Sequence, residues 1–576
     1  MLKSKQVFLI FFALFTVYLF LLNNVLNTYN RHQKIINEDA FGYYTILPAF
    51  FKYNDPNFAF LDSSVRNLPL YKDYIPPVVN SLDNNTKVCK YYAGVAILQL
   101  PFYLAGNQIA KFQKQTIGYE SVFQYAILCS VIFYLALAIW FFIKAFQLLG
   151  VSSWLTIVLG ALALFGTNIY CYTTYDPAYS HVYSIFAFNA FIYYSIKFKK
   201  HFKQLDLLKI GLLAGIIIAI RPLNGLLLLV FPMVMGLQNF LSILAKTKNY
   251  LLLSGVLIAP FIQSYLWFWQ TGKWYVYPYV NEYLEFGNPK VIELLFGFDC
   301  GWFIYTPFPL ILLISSLTII LTKKKIGLFV TILLLASSII YLTSCWYYVH
   351  YGCTLSCRPL TEYIFPIFIL FAYTTTLIYH ANKTRITIIA MAIIGILYNQ
   401  IIHYQFYNQI INWCKMDKAK FKMVFLKTHP YYAYSTSDFW NFESFKTNQI
   451  IDSSINLNFS INPNQSKDSK TIEFDEIIAN DSNILIDLEL KIKMNNNINE
   501  SVISMLLTEN NQYIDLHHFL LKRVVKEKNN WTDYKYQILI NKPIRHCKID
   551  FTLESIDNNS ITELSIQNVK LHRIAY

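Results

Sequence analysis

The sequence predicts a polytopic α-helical membrane protein of about eleven transmembrane helices, followed by a C-terminal antiparallel β-sandwich or jelly-roll domain. Three observations predict it. Of the 576 residues 55% are hydrophobic and 17% aromatic while only 14% are charged, which is too apolar for a soluble chain of this length. Runs of about 20 apolar residues, each enough to cross the hydrocarbon of a bilayer, recur through the first two thirds of the chain. From about residue 405 the composition turns polar and Asn-rich, and from about residue 470 it shows short runs in which apolar and polar residues alternate.

The first apolar run, Val7 to Leu26, is preceded by Lys3 and Lys5 and followed by the polar stretch Asn27 to Asn30. The segment "LLNNVLNTYN" holds no small-residue cleavage site, so the run reads as a retained anchor. Further spans are expected at 119–146, 151–172, 178–197, 207–221, 223–240, 249–269, 302–322, 326–346, 359–380 and 384–404. The pair 207–221 and 223–240 is interrupted by "IRPLNG", for which a kinked or broken helix is the rival reading. With a cytoplasmic N-terminus, Lys144, the cluster "KFKKHFK" at 197–203, Lys246, Lys248, "KKK" at 323–325, Lys383 and Arg385 all fall in inner loops. The excess of 48 basic over 34 acidic residues is therefore a topological signal, and no nucleic-acid partner is expected.

The opposite loops carry Glu38, Asp39, Asp55, Asp62, Asp73, Asp176, Glu282, Glu285 and Asp299. An odd number of crossings places the tail outside as well. The expected layout is a transmembrane domain over 1–405 with its first outer loop at 28–118, a connecting segment at 406–449, and an extracytoplasmic β-domain at 450–576. The expected location is the inner (plasma) membrane, crossed many times. In the tail, "NILIDLELKIKM" (483–494), "KYQILINK" (535–542), "CKIDFTLES" (547–555) and "ITELSIQNVKLHRI" (561–574) alternate as half-buried strands do. Its aromatic residues, Tyr513 and Trp531 among them, read as core packing ahead of sugar binding.

Of nine cysteines, Cys353 and Cys357 share one outer loop and Cys89 and Cys300 lie in others, so isolated packing or a disulfide is expected ahead of a metal site. His350 is nearby, but no paired metal-ligand spacing accompanies it. The residues leave room for a divalent metal without indicating one, and no cofactor is expected.

Three outer segments share a character: "NEDAFGYY" (37–44), "CKYYAGVAILQLPFYLAG" (89–106) and "CWYYVHYGCTLSCRPLTEYIFP" (345–366). They join an acid, several cations and many aromatics at one membrane face, with "YDPAYSHVYS" (175–184) and the Arg221-Pro222 break between them. A lipid-linked phosphosugar asks for that set. Cations hold its phosphate as a leaving group, a carboxylate takes the proton of an attacking hydroxyl, and aromatic rings suit a sugar face. No Gly-rich phosphate loop is present for a nucleotide donor.

Over roughly residues 7 to 405 the arrangement resembles the GT-C superfamily of membrane glycosyltransferases, near its protein mannosyltransferase-like and aminoarabinose-transferase-like members. Their first outer loop carries an acidic motif followed by aromatic residues, which here reads Glu38-Asp39-Ala40-Phe41-Gly42-Tyr43-Tyr44. The resemblance implies inverting transfer of a sugar from a polyprenyl-phosphate carrier to an extracytoplasmic glycan, lipid or protein acceptor. Asp39 is then the base, with Glu38 as the alternative because Gly42 is displaced from its place beside the acid in some relatives. Lys90 matches the basic residue that opens the second part of the outer loop, and Arg358 an arginine after a Gly-containing outer loop. Arg221 joins them as a phosphate ligand by topology, since an arginine inside an apolar run is costly without a partner.

Each residue also has a plainer reading: a helix cap for Asp39, snorkelling for Lys90, a structural ion pair for Arg221, and loop bracing for Arg358. Tyr43, Tyr44, His181 and His350 are candidate substrate-binding residues, against core packing or an interfacial belt. Two other function classes compete. A transporter or flippase would show broken helices with midplane acids, and within the spans the sequence offers Arg221 but no evident buried carboxylate. A non-catalytic glycan-binding envelope protein would need only one or two anchoring helices.

Overall fold

A computed structural model of the chain describes residues 4–29, 31, 34–72, 74–82, 86–280, 282–352, 354–378, 382–412, 416–428, Trp531 and nine strands between 447 and 574. The chain is mostly helical and divides into two compact units, Met1–His403 and Tyr404–Tyr576.

Among the described residues five helices are long and apolar enough to cross a membrane: Leu9–Thr28, Ser121–Leu149, Thr247–Thr271, Ile326–Ser344 and Thr384–Tyr407. A bent pair, Pro222–Met235 with Leu237–Leu244, turns by 105° at its break and makes a sixth if counted as one span. These features are compatible with a multi-pass membrane protein. Of the other expected spans, 178–197 is the continuous 22-residue helix Ser180–His201 and 207–221 the 17-residue helix Gln204–Ile220, while the rest are shorter or broken. Phe308–Thr322 has 15 residues, Ser153–Phe165 has 13, and Ile364–Thr375 has 12 and follows a 3-10 turn over Arg358–Tyr363.

Local sequence explains the ends. Ser121–Leu149 stops at Gly150, whose φ of 73° is the left-handed cap that glycine supplies without a Cβ clash. Ser180–His201 closes with Lys199, Lys200 and His201 in its last turn, where cations complement the helix dipole. Gln204–Ile220 ends because Pro222 pushes the residue before it out of the helical region, and Arg221 is extended at φ −152° and ψ 123°. The proline thus delivers the Arg221 side chain to a helix end. Close packing fixes that end against the first outer loop: a Cβ on Gly94, the first residue of Gly94–Phe112, would meet the Ile220 backbone nitrogen at 2.3 Å.

The second unit holds two antiparallel sheets. One runs in the order Lys467–Phe474, Cys547–Ser555, Ser501–Glu509, Gln512–Leu520. In the other, Thr562–Ile574 pairs with Ile484–Met494 on one side and with Thr447–Ser453 and Leu457–Ile461 on the other, and Thr532–Ile540 lies beyond Ile484–Met494. The expected alternation is what the register uses. Ile549, Phe551 and Leu553 face Leu507, Met505 and Ile503 across the ladder, and all six are buried. Trp531 differs from the core reading: it is 49% exposed, with the Lys493 ammonium 5.8 Å from its ring. The Tyr513 side chain and Asp73 lie outside what is described.

Candidate functional site

The acidic motif opens the helix Glu38–Pro48. Asn37 is extended and Glu38 takes a left-handed φ of 46°, a conformation that costs a non-glycine residue on the order of 1 kcal/mol. The two acids have different partners. Glu38 accepts a long hydrogen bond from the Tyr74 hydroxyl at 3.4 Å, whereas Asp39 Oδ2 pairs with Arg358 Nη1 at 3.0 Å and its Oδ1 accepts from the Tyr91 hydroxyl at 2.7 Å. Asp39 therefore serves an ion pair rather than a helix cap.

Gly42 is what lets Tyr91 reach it. A Cβ there would stand 2.1 Å from the Tyr91 ring, so only glycine leaves the ring room to lie on the helix. Neighbouring Tyr43 packs edge-on against the same ring, with centroids 4.7 Å apart, and its hydroxyl lies against Arg221.

Burial by itself would raise the Asp39 carboxyl. The Arg358 guanidinium, the Tyr91 hydrogen bond and the charges of Arg221 and Lys90 outweigh burial and hold it below the ordinary carboxylate range. Glu38 moves the other way, raised by burial and by the adjacent Asp39 charge. Two carboxylates side by side in the chain thus differ in proton affinity because only Asp39 meets Arg358, Arg221 and Lys90.

Beyond Arg358 lies a second charged cluster. Glu362, fully buried, receives Arg221 Nη1 at 3.3 Å, lies 3.2 Å from His181 Nδ1 and accepts a hydrogen bond from Asn224 Nδ2. The Tyr363 hydroxyl in turn donates to Asn224 Oδ1 at 3.3 Å. This corrects the expectation that the spans hold no buried carboxylate. In "RPLTEY" Glu362 reads as part of a loop, but the chain there is a 3-10 turn that carries it inward to meet Arg221. Lys90 pairs with Glu282, and Arg31 pairs with Asp176 while its guanidinium sits 4.0 Å from the Tyr175 ring centre.

The fold therefore brings Asp39, Arg358, Arg221, Lys90, Tyr43 and His181 into one connected neighbourhood. It does not bring in Tyr44, which is buried with its hydroxyl on the Gly118 carbonyl, nor His350, whose Nδ1 faces Asp299 Oδ2 at 3.2 Å and Cys300 Sγ at 3.3 Å. Tyr91 and Asn224 are members that motif reading passed over, whereas Glu282 and Glu362 were read in outer segments without a role in the site. Tyr91 adjoins Lys90 in "CKYY", and that adjacency was its available signal. Of the two arrangements expected, Cys89, Cys300 and Cys357 show isolated packing, each buried with a free thiol; Cys353 lies outside the described residues. Cys89 points its Sγ at the Gly42 carbonyl, 3.5 Å away.

Two buried nitrogens of this neighbourhood, Arg358 Nε and His181 Nε2, have no hydrogen-bond partner. A buried polar group left without a partner costs about 1–3 kcal/mol, and such a group marks where a polar ligand would be welcome. Among the described residues no group of three or more His, Cys, Asp or Glu side chains is arranged to hold a metal ion. No protein-family model matches the chain, and no curated protein or solved structure matches it significantly.

Proposed function

We propose that this chain is an inverting membrane glycosyltransferase of GT-C type, moving a sugar from a polyprenyl-phosphate donor to an extracytoplasmic glycan, lipid or protein acceptor. The observation that carries the reading is a carboxylate, Asp39, in the first turn of a helix outside the long apolar segments, paired with Arg358 and influenced by Arg221 and Lys90. An acceptor hydroxyl attacks the anomeric carbon and gives its proton to Asp39. The bond from that carbon to the phosphate oxygen breaks, and the phosphate leaves with the electron pair.

An ion-paired carboxylate is a weak base. Arrival of the donor phosphate offers Arg358 a second anion, and as the arginine turns toward it Asp39 recovers proton affinity. The unpartnered Arg358 Nε supports that role. The same reading carries the full expected architecture: eleven crossings of the inner membrane, a cytoplasmic N-terminus, an extracytoplasmic sandwich or jelly roll, and no cofactor.

The test is transfer from a polyprenyl-phosphate sugar by purified variants. Asp39→Asn keeps the shape of the side chain and removes the base, so turnover should fall by roughly 10²–10⁴-fold while donor binding survives. Normal transfer by Asp39→Asn with loss in Glu38→Gln would reassign the base, and normal transfer by both would remove the mechanism.

One observation favours a second reading, a transporter of lipid-linked glycan: Glu362 is buried against Arg221 where a helix breaks, as a transport site would require. Movement of a labelled lipid-linked sugar across sealed vesicles, unaffected by Asp39→Asn and abolished by Glu362→Gln, would select it.

A further inference from the structure

Away from the charged cluster, the first unit contains an apolar cavity of about 840 Å³, walled by Ile192, Leu227, Ile332, Ile339, Leu360 and Ile367 among others. Its length follows from the helices along it. Tyr363 and Tyr373 both line it and stand ten residues apart, about 15 Å on a helix. That is half of the roughly 30 Å hydrocarbon thickness, the depth of one leaflet.

The mouth at the Tyr373 end is basic. Lys199, Lys200 and Lys325 line it, from the last turn of Ser180–His201 and the residue before Ile326–Ser344. Lys199 donates to the Val234 carbonyl at 2.5 Å, Lys200 to the Leu148 carbonyl, and Lys325 to the Tyr373 hydroxyl at 3.2 Å. Each ammonium keeps further donors, and among the described residues no carboxylate pairs with any of the three. Lys325 immediately precedes the Ile326–Ser344 helix, and Leu328 of its first turn also lines the cavity.

We propose that this cavity binds one anionic phospholipid of the cytoplasmic leaflet, its acyl chain against the apolar wall and its phosphate on Lys199, Lys200 and Lys325. The charge favours that occupant. The three lysines belong to the loops that the positive-inside pattern assigns to the cytoplasm, where anionic headgroups are abundant. A polyprenyl-phosphate donor held at Arg358 would present its phosphate at the opposite end. The inference is independent of the glycosyl-transfer reading.

The test is the thermal unfolding midpoint of the full chain in a neutral detergent, titrated with phosphatidylglycerol, phosphatidylcholine, inorganic phosphate or a polyprenyl phosphate. Phosphatidylglycerol should raise the midpoint, and phosphatidylcholine and inorganic phosphate should not, because one lacks the net charge and the other the chain. Replacing all three lysines by alanine should weaken the apparent affinity roughly 10- to 100-fold. Ala336→Phe, which fills the cavity and keeps the lysines, should weaken it as well. An equal shift with phosphatidylcholine, or an undiminished one in the triple variant, overturns the proposal. So does stabilisation by the polyprenyl phosphate that is lost in Arg358→Ala and kept without the lysines, since that would make the cavity the donor's tail groove.

Discussion

Asp39 and Glu38 adjoin in the chain, and their opposite shifts give a way to tell them apart in solution. The acid limb of a kcat/KM profile reports the base in the free enzyme. Asp39, held down by Arg358, stays ionised as pH falls through the ordinary carboxylate value of about 4, so activity should persist to that pH and fail only below it. The same sign holds for stability: the Asp39 pair contributes above the unfolded pKa and is lost as pH falls through the lower folded one. A limb above the ordinary value would point to Glu38, which burial and its neighbour raise. Arg358→Ala should move an Asp39 limb upward, since the largest opposing charge is gone and burial remains.

Gly42 enters through the same group. Gly42→Ala has to push the Tyr91 ring off the helix, so its limb should rise with that of Tyr91→Phe, and turnover should fall roughly tenfold in each. The double variant should be no worse than either alone. An unmoved limb in Gly42→Ala would separate the ring from the carboxylate.

At the scale of elements, the Arg221 to Glu362 pair ties the end of Gln204–Ile220 to the 3-10 turn Arg358–Tyr363. Glu362 has no exposed surface, so removing its cation leaves an uncompensated buried charge. Arg221→Met should cost about 3 kcal/mol, the low end for breaking a buried pair because His181 and Asn224 stay in place. Arg221→Met combined with Glu362→Gln should recover part of the lost unfolding midpoint in detergent. A double variant less stable than Arg221→Met would show that Glu362 is held by its other partners.

For the whole molecule, the positive-inside pattern makes an orientation test. Cysteines introduced near Asp73 or Asn510 should react with an impermeant reagent in sealed cells, and one near Lys324 should not. Labelling at Lys324 would invert the proposed topology. The two units differ in how legible they were. Strand alternation located Cys547–Ser555 to the residue and Thr562–Ile574 to within one, because a two-residue period survives wherever one sheet face is buried. Apolar runs located the long helices but not the breaks near residues 166–170, 306 and 358–363, because a few polar residues inside a long apolar stretch do not record whether the helix continues through them.

By itself the sequence determined the class of the molecule, the place of its polar tail, and an acid beside aromatic residues after the first long helix. Those rest on composition and period, which are local. Tertiary structure alone decided that Asp39 takes Arg358 and Tyr91 while Glu38 does not, that Arg221 meets Glu362, and that Tyr44 and His350 stand apart. Asp39 and Arg358 are more than 300 positions apart in the chain. Which distant charge comes within about 3 Å depends on helix packing and a few glycine-sized gaps, and no short-range pattern records either.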